Sequence, residues 1–238
     1  MKVTIHQPEH LPWLGFFNKA LNCDVFVLLD TVQYEKNYFQ NRNQIISSIS
    51  SGKEWLTMPV KKGPHTELIC EKLVAFNKKT KHRYISQIDR AYSSYPFYKK
   101  HIGQIKEIIN DDEIYLSKIN INLIKYFFDS LGINCELLIA SDLSLPVSDS
   151  GGIINYHICK SLGATTYLSG ASGKNYLIEE PFQKSQINIE YQDFKHPKYQ
   201  QPKEEFVPNL SVLDILFSFK NNKCCDIIRS GYTIKNTQ

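Results

Sequence analysis

The sequence predicts an α/β fold: a mostly parallel, Rossmann-like sheet with flanking helices and a helical insertion at about 78–131. Three observations predict it. Val3-Thr4-Ile5 and Val25 to Leu29 are short apolar runs separated by a stretch with helical spacing, the signature of a βαβ unit. Thr165 to Leu168 is a further short run that follows a helical stretch and passes straight into small residues. Between them, apolar positions from Thr80 to Leu131 keep the 3.6-residue period.

Taken in order, Val3-Thr4-Ile5 forms a strand that Pro8 stops, which leaves His6 and Gln7 at its carboxyl end. Leu14, Phe17 and Leu21 recur at helical spacing from Pro12, tolerated in a first turn, to about Asn22. Val25 to Leu29 is uninterruptedly apolar, as in a strand buried on both faces. Such a unit is right-handed and sets His6 and Asp30 at one sheet edge. Residues 33–46 show no clear period, Trp55 to Val60 reads as a strand, Gly63-Pro64 as a turn, and Glu67 to Phe76 as an edge strand.

Two helices are expected from Thr80 to Asn110, parted at Tyr95-Pro96, and a third from about Glu113 to Leu131, closed by Gly132. They are expected to form a lid or packing layer. Cys135 to Ala140 returns to a buried strand. Ser150 is suited to cap a helix through Leu162, with Gly163 past its end. Leu177 to Gln183 reads as a short helix, Ile187 to Tyr191 as an alternating strand, and 194–209 as irregular. The closing helix starts at Ser211, where Ser-x-x-Asp to Asp214 has capping-box spacing, so Asp214 needs no catalytic role.

The totals bound the class. In 238 residues, 42% hydrophobic and 22% charged content are ordinary globular values, which exclude disorder and fit one domain spanning 1–238. No run reaches the roughly 20 apolar residues of a spanning helix, and the polar residues after Met-Lys-Val-Thr-Ile do not form a signal peptide. A cytoplasmic protein without membrane insertion is expected. Six scattered Cys, with no Cys-x-x-Cys, read as reduced thiols, so no metal site is expected. A net charge of +4, without an RNA-binding motif, gives no reason to expect DNA or other nucleic acid as the bound target.

Candidate chemistry concentrates in two regions. Ligands of open parallel sheets bind beyond the carboxyl ends of the strands, which is where His6, Gln7 and Asp30 are expected. Trp13, Gln33, Tyr34 and Asn41 lie close in sequence, and Lys36 and Arg42 are two cations suited to a diphosphate. The loop Ser169-Gly170-Ala171-Ser172-Gly173-Lys174 exposes main-chain amides to a phosphate or an oxyanion, though it lacks the Walker A pattern. His196, with Tyr199 and Gln201 nearby, is the second acid/base candidate.

The motifs His6-Gln7-Pro8, Leu11-Pro12-Trp13-Leu14-Gly15, Asp24-x-Phe26-Val27-x-Leu29-Asp30, Asn41-Arg42-Asn43, Trp55-Leu56-x-x-Pro59-Val60, Tyr167-Leu168-Ser169-Gly170 and His196-Pro197-x-Tyr199-x-Gln201, in this order, resemble the WbqC-like family. The resemblance covers essentially the whole chain; position 10 departs from it, being His where the family has Tyr. It implies a role in O-antigen or related glycan synthesis, with glycyl transfer to an amino sugar as its chemistry. A fainter similarity joins the first 42 residues to pantothenate synthetase and the nucleotidylyltransferase-like superfamily, whose His-x-Gly-His is absent here.

These resemblances imply an aminoacyl transferase acting on a nucleotide-linked amino sugar. The amino-acid donor is a free amino acid, a carrier-protein thioester or an aminoacyl-tRNA. ATP with Mg is implied only if the acid is activated as an adenylate. His6 or His196 then serves as base, Lys36 and Arg42 hold the diphosphate, and Trp13 or Tyr34 stacks on a ring. The amides near Ser169-Gly170 face an oxyanion, beside Lys174. The competing expectation is a non-catalytic nucleotide-sugar or glycan-binding accessory protein of the same pathway.

Overall fold

The computed structural model describes residues 1–50, 52–143, 151–203 and 205–232. Its centre is a five-stranded, wholly parallel sheet made of β1 (Lys2–His6), β2 (Val25–Leu28), β5 (Glu136–Ile139), β6 (Thr166–Ser169) and β7 (Asn188–Tyr191), in the order β5-β2-β1-β6-β7. The remaining strands, β3 (Arg42–Ile46) and β4 (Lys53–Thr57), form a separate antiparallel pair. The α/β, Rossmann-like expectation holds.

Alternation along the strands divides the core between the two sheet faces. Phe26 and Leu28 point to one side, into a cluster with Phe16 and Phe17 of α1 (Leu14–Ala20) and Phe127 and Phe128 of α4 (Leu116–Leu131). Val25, Val27 and Leu29 join Val3 and Ile5 on the other side, against Ile154 and Ile158 of α5 (Gly151–Ser161) and Phe182 of α6 (Glu180–Lys184). A side-chain period of two thus explains why β2 reads as uninterruptedly apolar.

Residues 78–131 fold as α2 (Lys78–Tyr92), α3 (Tyr98–Asn110) and α4, the last ended by Gly132 at φ 63°. Their apolar faces join the first cluster, so they form a packing layer. Ser150, the expected cap of α5, lies outside the described residues.

Three expectations are corrected. Residues 67–76 are not a strand: a 3-10 turn at Ile69–Glu71 interrupts them, and Leu68, Leu73 and Val74 bridge to three different segments. Lys72 turns inward there, 2.7 Å from Glu67 and over the Tyr34 ring. β3 was hidden among polar residues. Its Asn43 is buried because its amide donates to the carbonyls of His10 and Leu11. The closing helix is two helices, α7 (Leu213–Ser218) and α8 (Asn221–Ser230), and Asp214 forms no cap; it is buried, accepting from Tyr199 Oη and Gln201 Nε2, each at 2.9 Å.

Candidate functional site

The chain leaves β1 for β2 on one side and reaches β6 and β7 on the other, so the sheet reverses its winding between β1 and β6. At the carboxyl edge of a parallel sheet such a reversal opens a crevice. A cleft of about 580 Å³ lies there, lined by His6 at the end of β1 and Gln7 after it, Leu29 and Thr31 after β2, and Gly170 and Ser172 after β6. An adjoining cavity of about 530 Å³ shares His6, Glu9 and Lys19 and extends to Trp13. Both volumes suit a small-molecule ligand.

Three ionisable groups meet at the wall of the cleft. His6 Nδ1 donates to the Gln7 carbonyl at 3.0 Å, which leaves the Nε2 lone pair free, 3.7 Å from Glu9 Oε1. Burial, with Lys19 nearby, holds the imidazole down to about 3, so it is neutral at physiological pH. Burial pushes the Glu9 carboxyl up to about 7, against the pull of Lys19. It also lowers the Lys19 ammonium to about 8, against the pull of Glu9. Lys19 is only 2% exposed and donates to the Ile5 carbonyl at 3.3 Å.

The cleft also gathers acceptors. Glu9 Oε2, Thr31 Oγ1 and Asn155 Oδ1 are buried lining atoms without a hydrogen-bond partner among the described residues. Leaving such groups unpaired is costly, so the Glu9 and Asn155 oxygens point to a ligand that donates hydrogen bonds, with the Thr31 hydroxyl able to donate or accept. A buried frame fixes the segment that carries His6 and Glu9. His10 Nδ1 donates to Asn120 Oδ1 at 2.8 Å, and Asn120 Nδ2 donates to the carbonyls of Pro8 at 2.9 Å and Gln40 at 2.7 Å. His10 is therefore a structural residue. The Trp13 ring closes over Gly15, where a Cβ would come within 2.4 Å of it.

A sequence profile of the WbqC-like protein family matches residues 7–225. The chain belongs to that family. It is also 30% identical, over 220 residues, to an uncharacterised protein of Mycobacterium tuberculosis, Rv1507c, covering 91% of this chain and 93% of that one. No solved structure matches.

In this WbqC-like protein the cleft brings together His6, Gln7, Gln33 and Gly170 of the expected residues, with Trp13 in the adjoining cavity. Gln7 Oε1 accepts from Gln40 Nε2, and Gln33 Nε2 donates to the His65 carbonyl. The others are placed elsewhere and line neither cavity. Asp30 accepts from the Ser141 amide and hydroxyl, tying β2 to the end of β5. Tyr34 lies under Lys72, Lys36 is exposed, and Asn41 donates to the Met58 carbonyl. Arg42 stacks 4.1 Å from the Trp55 ring and donates to Asn37. Ser169 is buried, donating to the Gly170 carbonyl, and Lys174 sits over Tyr191.

His196, Tyr199 and Gln201 belong to a different environment. Gln201 and Tyr199 are held by Asp214, and His196 donates to the Pro197 carbonyl among the rings of Phe194, Tyr199 and Phe206. Sequence reasoning missed Glu9, Lys19, Thr31 and Asn155. For Lys19 a partial signal existed: it lies in the short, mostly apolar stretch Leu14-Gly15-Phe16-Phe17-Asn18-Lys19-Ala20, and the structure buries all seven residues of that helix, which leaves the lysine no solvated face. For Glu9, between Pro8 and His10, only the fold shows the burial.

Proposed function

We propose that this protein is an amide-forming aminoacyl transferase, transferring glycyl to the amino group of a nucleotide-linked amino sugar in O-antigen or related polysaccharide synthesis. Membership of the WbqC-like family supports the pathway class. The observation that carries the chemistry is His6: its Nε2 lone pair is free beside Glu9 in the crevice at the winding reversal. The sugar amine attacks as the neutral base. As its nitrogen bonds to the acyl carbon, the bond from that carbon to its leaving group breaks. The proton that the nitrogen sheds passes to His6 Nε2, with Glu9 Oε1 beside it to stabilise the imidazolium. An imidazole of low basicity suffices because the proton leaves as the carbonyl re-forms, and a nitrogen protonated on an amide is strongly acidic.

Of the second reading, a non-catalytic nucleotide-sugar or glycan-binding accessory protein of the same pathway, one observation favours the glycan-binding form: Lys36 and Arg42 do not line the cleft, so the cations expected to hold a diphosphate are not there.

The test incubates the protein with a dTDP-linked 4-amino sugar and, in separate reactions, glycine with ATP and Mg, a glycyl thioester on a carrier protein, and glycyl-tRNA. Mass spectrometry reads the glycyl adduct and AMP. The expected result is adduct with one donor, lost in His6→Ala while sugar affinity stays within a few-fold. Binding without adduct from any donor, or full turnover in His6→Ala, overturns the assignment.

A further inference from the structure

The cleft holds two buried ionisable groups of opposite sign. Glu9 is 6% exposed and Lys19 is 2% exposed, and both line the cleft and its adjoining cavity. Each feels the other's field, yet they form no ion pair among the described residues. The two oxygens of Glu9 differ: Oε1 faces His6 at 3.7 Å, whereas Oε2 is buried with no hydrogen-bond partner among the described residues. The Lys19 ammonium carries three protons, and among the described residues its hydrogen bond is the one to the Ile5 carbonyl. A buried charge with spare hydrogen-bonding capacity is expensive unless something satisfies it.

We infer that Glu9 and Lys19 form a binding site for a zwitterionic amino acid, whose ammonium donates to Glu9 Oε2 and whose carboxylate accepts from Lys19 Nζ. A compact ligand with both charges satisfies both residues at once, and an anion or a cation satisfies one and leaves the other. Thr31 Oγ1 and Asn155 Oδ1, also without a hydrogen-bond partner among the described residues, are available to polar groups elsewhere on the bound molecules. As a statement about the acyl donor, the inference rests on the transferase reading above. It then selects the free amino acid over a thioester or an ester, because neither keeps the carboxylate charge. It also requires a nucleoside triphosphate as co-substrate, the carboxylate oxygen displacing pyrophosphate from its α-phosphorus before the amine attacks.

The test is binding alone, read by calorimetry and by thermal shift on the full chain. Glycine, alanine and serine are compared with glycinamide, which lacks the carboxylate, and with acetate, which lacks the ammonium. At least one amino acid is expected to bind, with its amide and acetate at least tenfold weaker. Glu9→Gln and Lys19→Met are each expected to weaken it at least tenfold with an unchanged circular dichroism spectrum; if either variant fails to fold, the comparison of glycine with glycinamide on the wild type decides. Equal binding of acid and amide, no binding of any of the three amino acids, or full affinity in a folded variant overturns the inference. Those outcomes leave the transferase reading standing with a thioester or ester donor. Amino-acid binding without adduct formation defeats the transferase reading instead.

Discussion

His6 Nε2 stands 3.7 Å from Glu9 Oε1, at the carboxyl end of the central strand, with both groups held away from their ordinary protonation behaviour by burial. The carboxyl is raised from 4.5 to about 7, so ionising it costs folding free energy on the order of 3 kcal/mol. With a folded value above the unfolded one, Glu9's contribution is fully present below about pH 4.5 and is lost as pH rises through 7. Glu9→Gln removes that loss. The difference in unfolding free energy, variant minus wild type, is therefore expected to be smallest near pH 4 and to grow by a few kcal/mol by pH 8. Urea titrations at several pH values check it. The lowered His6 and His10 values act oppositely over the same window, so the difference, not the wild-type curve, is the readout.

Asn120 is expected to be among the most sensitive polar positions. Its side chain accepts from His10 and donates to the carbonyls of Pro8 and Gln40, all in the buried frame behind the cleft. Asn120→Ala leaves these groups unpaired and should cost about 2–4 kcal/mol in chemical denaturation. An effect below about 0.5 kcal/mol would show that the frame repacks freely.

Asp214 is expected to behave as an anchor. Tyr199 and Gln201 both donate to its Oδ2, and burial pushes its carboxyl up to about 6. Asp214→Ala should therefore open the 196–201 segment to limited proteolysis, with a stability loss of about 2–3 kcal/mol. Asp214→Asn keeps an acceptor and should cost less. Equal losses would count against the anchoring role.

Gly173 sets the turn that closes one side of the cleft. A Cβ there would come within 2.0 Å of Ser169 Oγ and 3.1 Å of Leu177 Cδ1. Gly173→Ala should destabilise by about 1–3 kcal/mol. Adding Ser169→Ala removes the nearest atom and should recover part of that loss in the melting temperature; a strictly additive double variant would contradict the contact.

Arg42 separates the two readings of its loop. Its guanidinium stacks on Trp55 and lies outside both cavities. Arg42→Ala is expected to lower stability by about 1 kcal/mol while changing nucleotide-sugar affinity less than twofold in a titration. A tenfold loss of affinity would restore it as a diphosphate ligand.

The sequence by itself determined the parallel sheet, the helical segment 78–131 and the convergence of His6 and Gly170 on one edge. Those features are periodic and local: two-face alternation in β2, helical spacing in α2 to α4, and strands that end beside small or polar residues. Where the pattern is polar, long-range partners decided. Asn43 becomes a strand residue because β3 pairs with β4, setting it opposite Leu56, and its side chain is buried by donating to His10 and Leu11; Asp214 becomes an anchor because a segment 13 to 15 residues earlier folds back on it. Tertiary structure likewise turned Arg42 toward Trp55 and buried Glu9 and Lys19. The physical reason is that charge state and hydrogen-bond satisfaction depend on the dielectric surroundings and on partners far away in the chain, and neither has a period in the sequence.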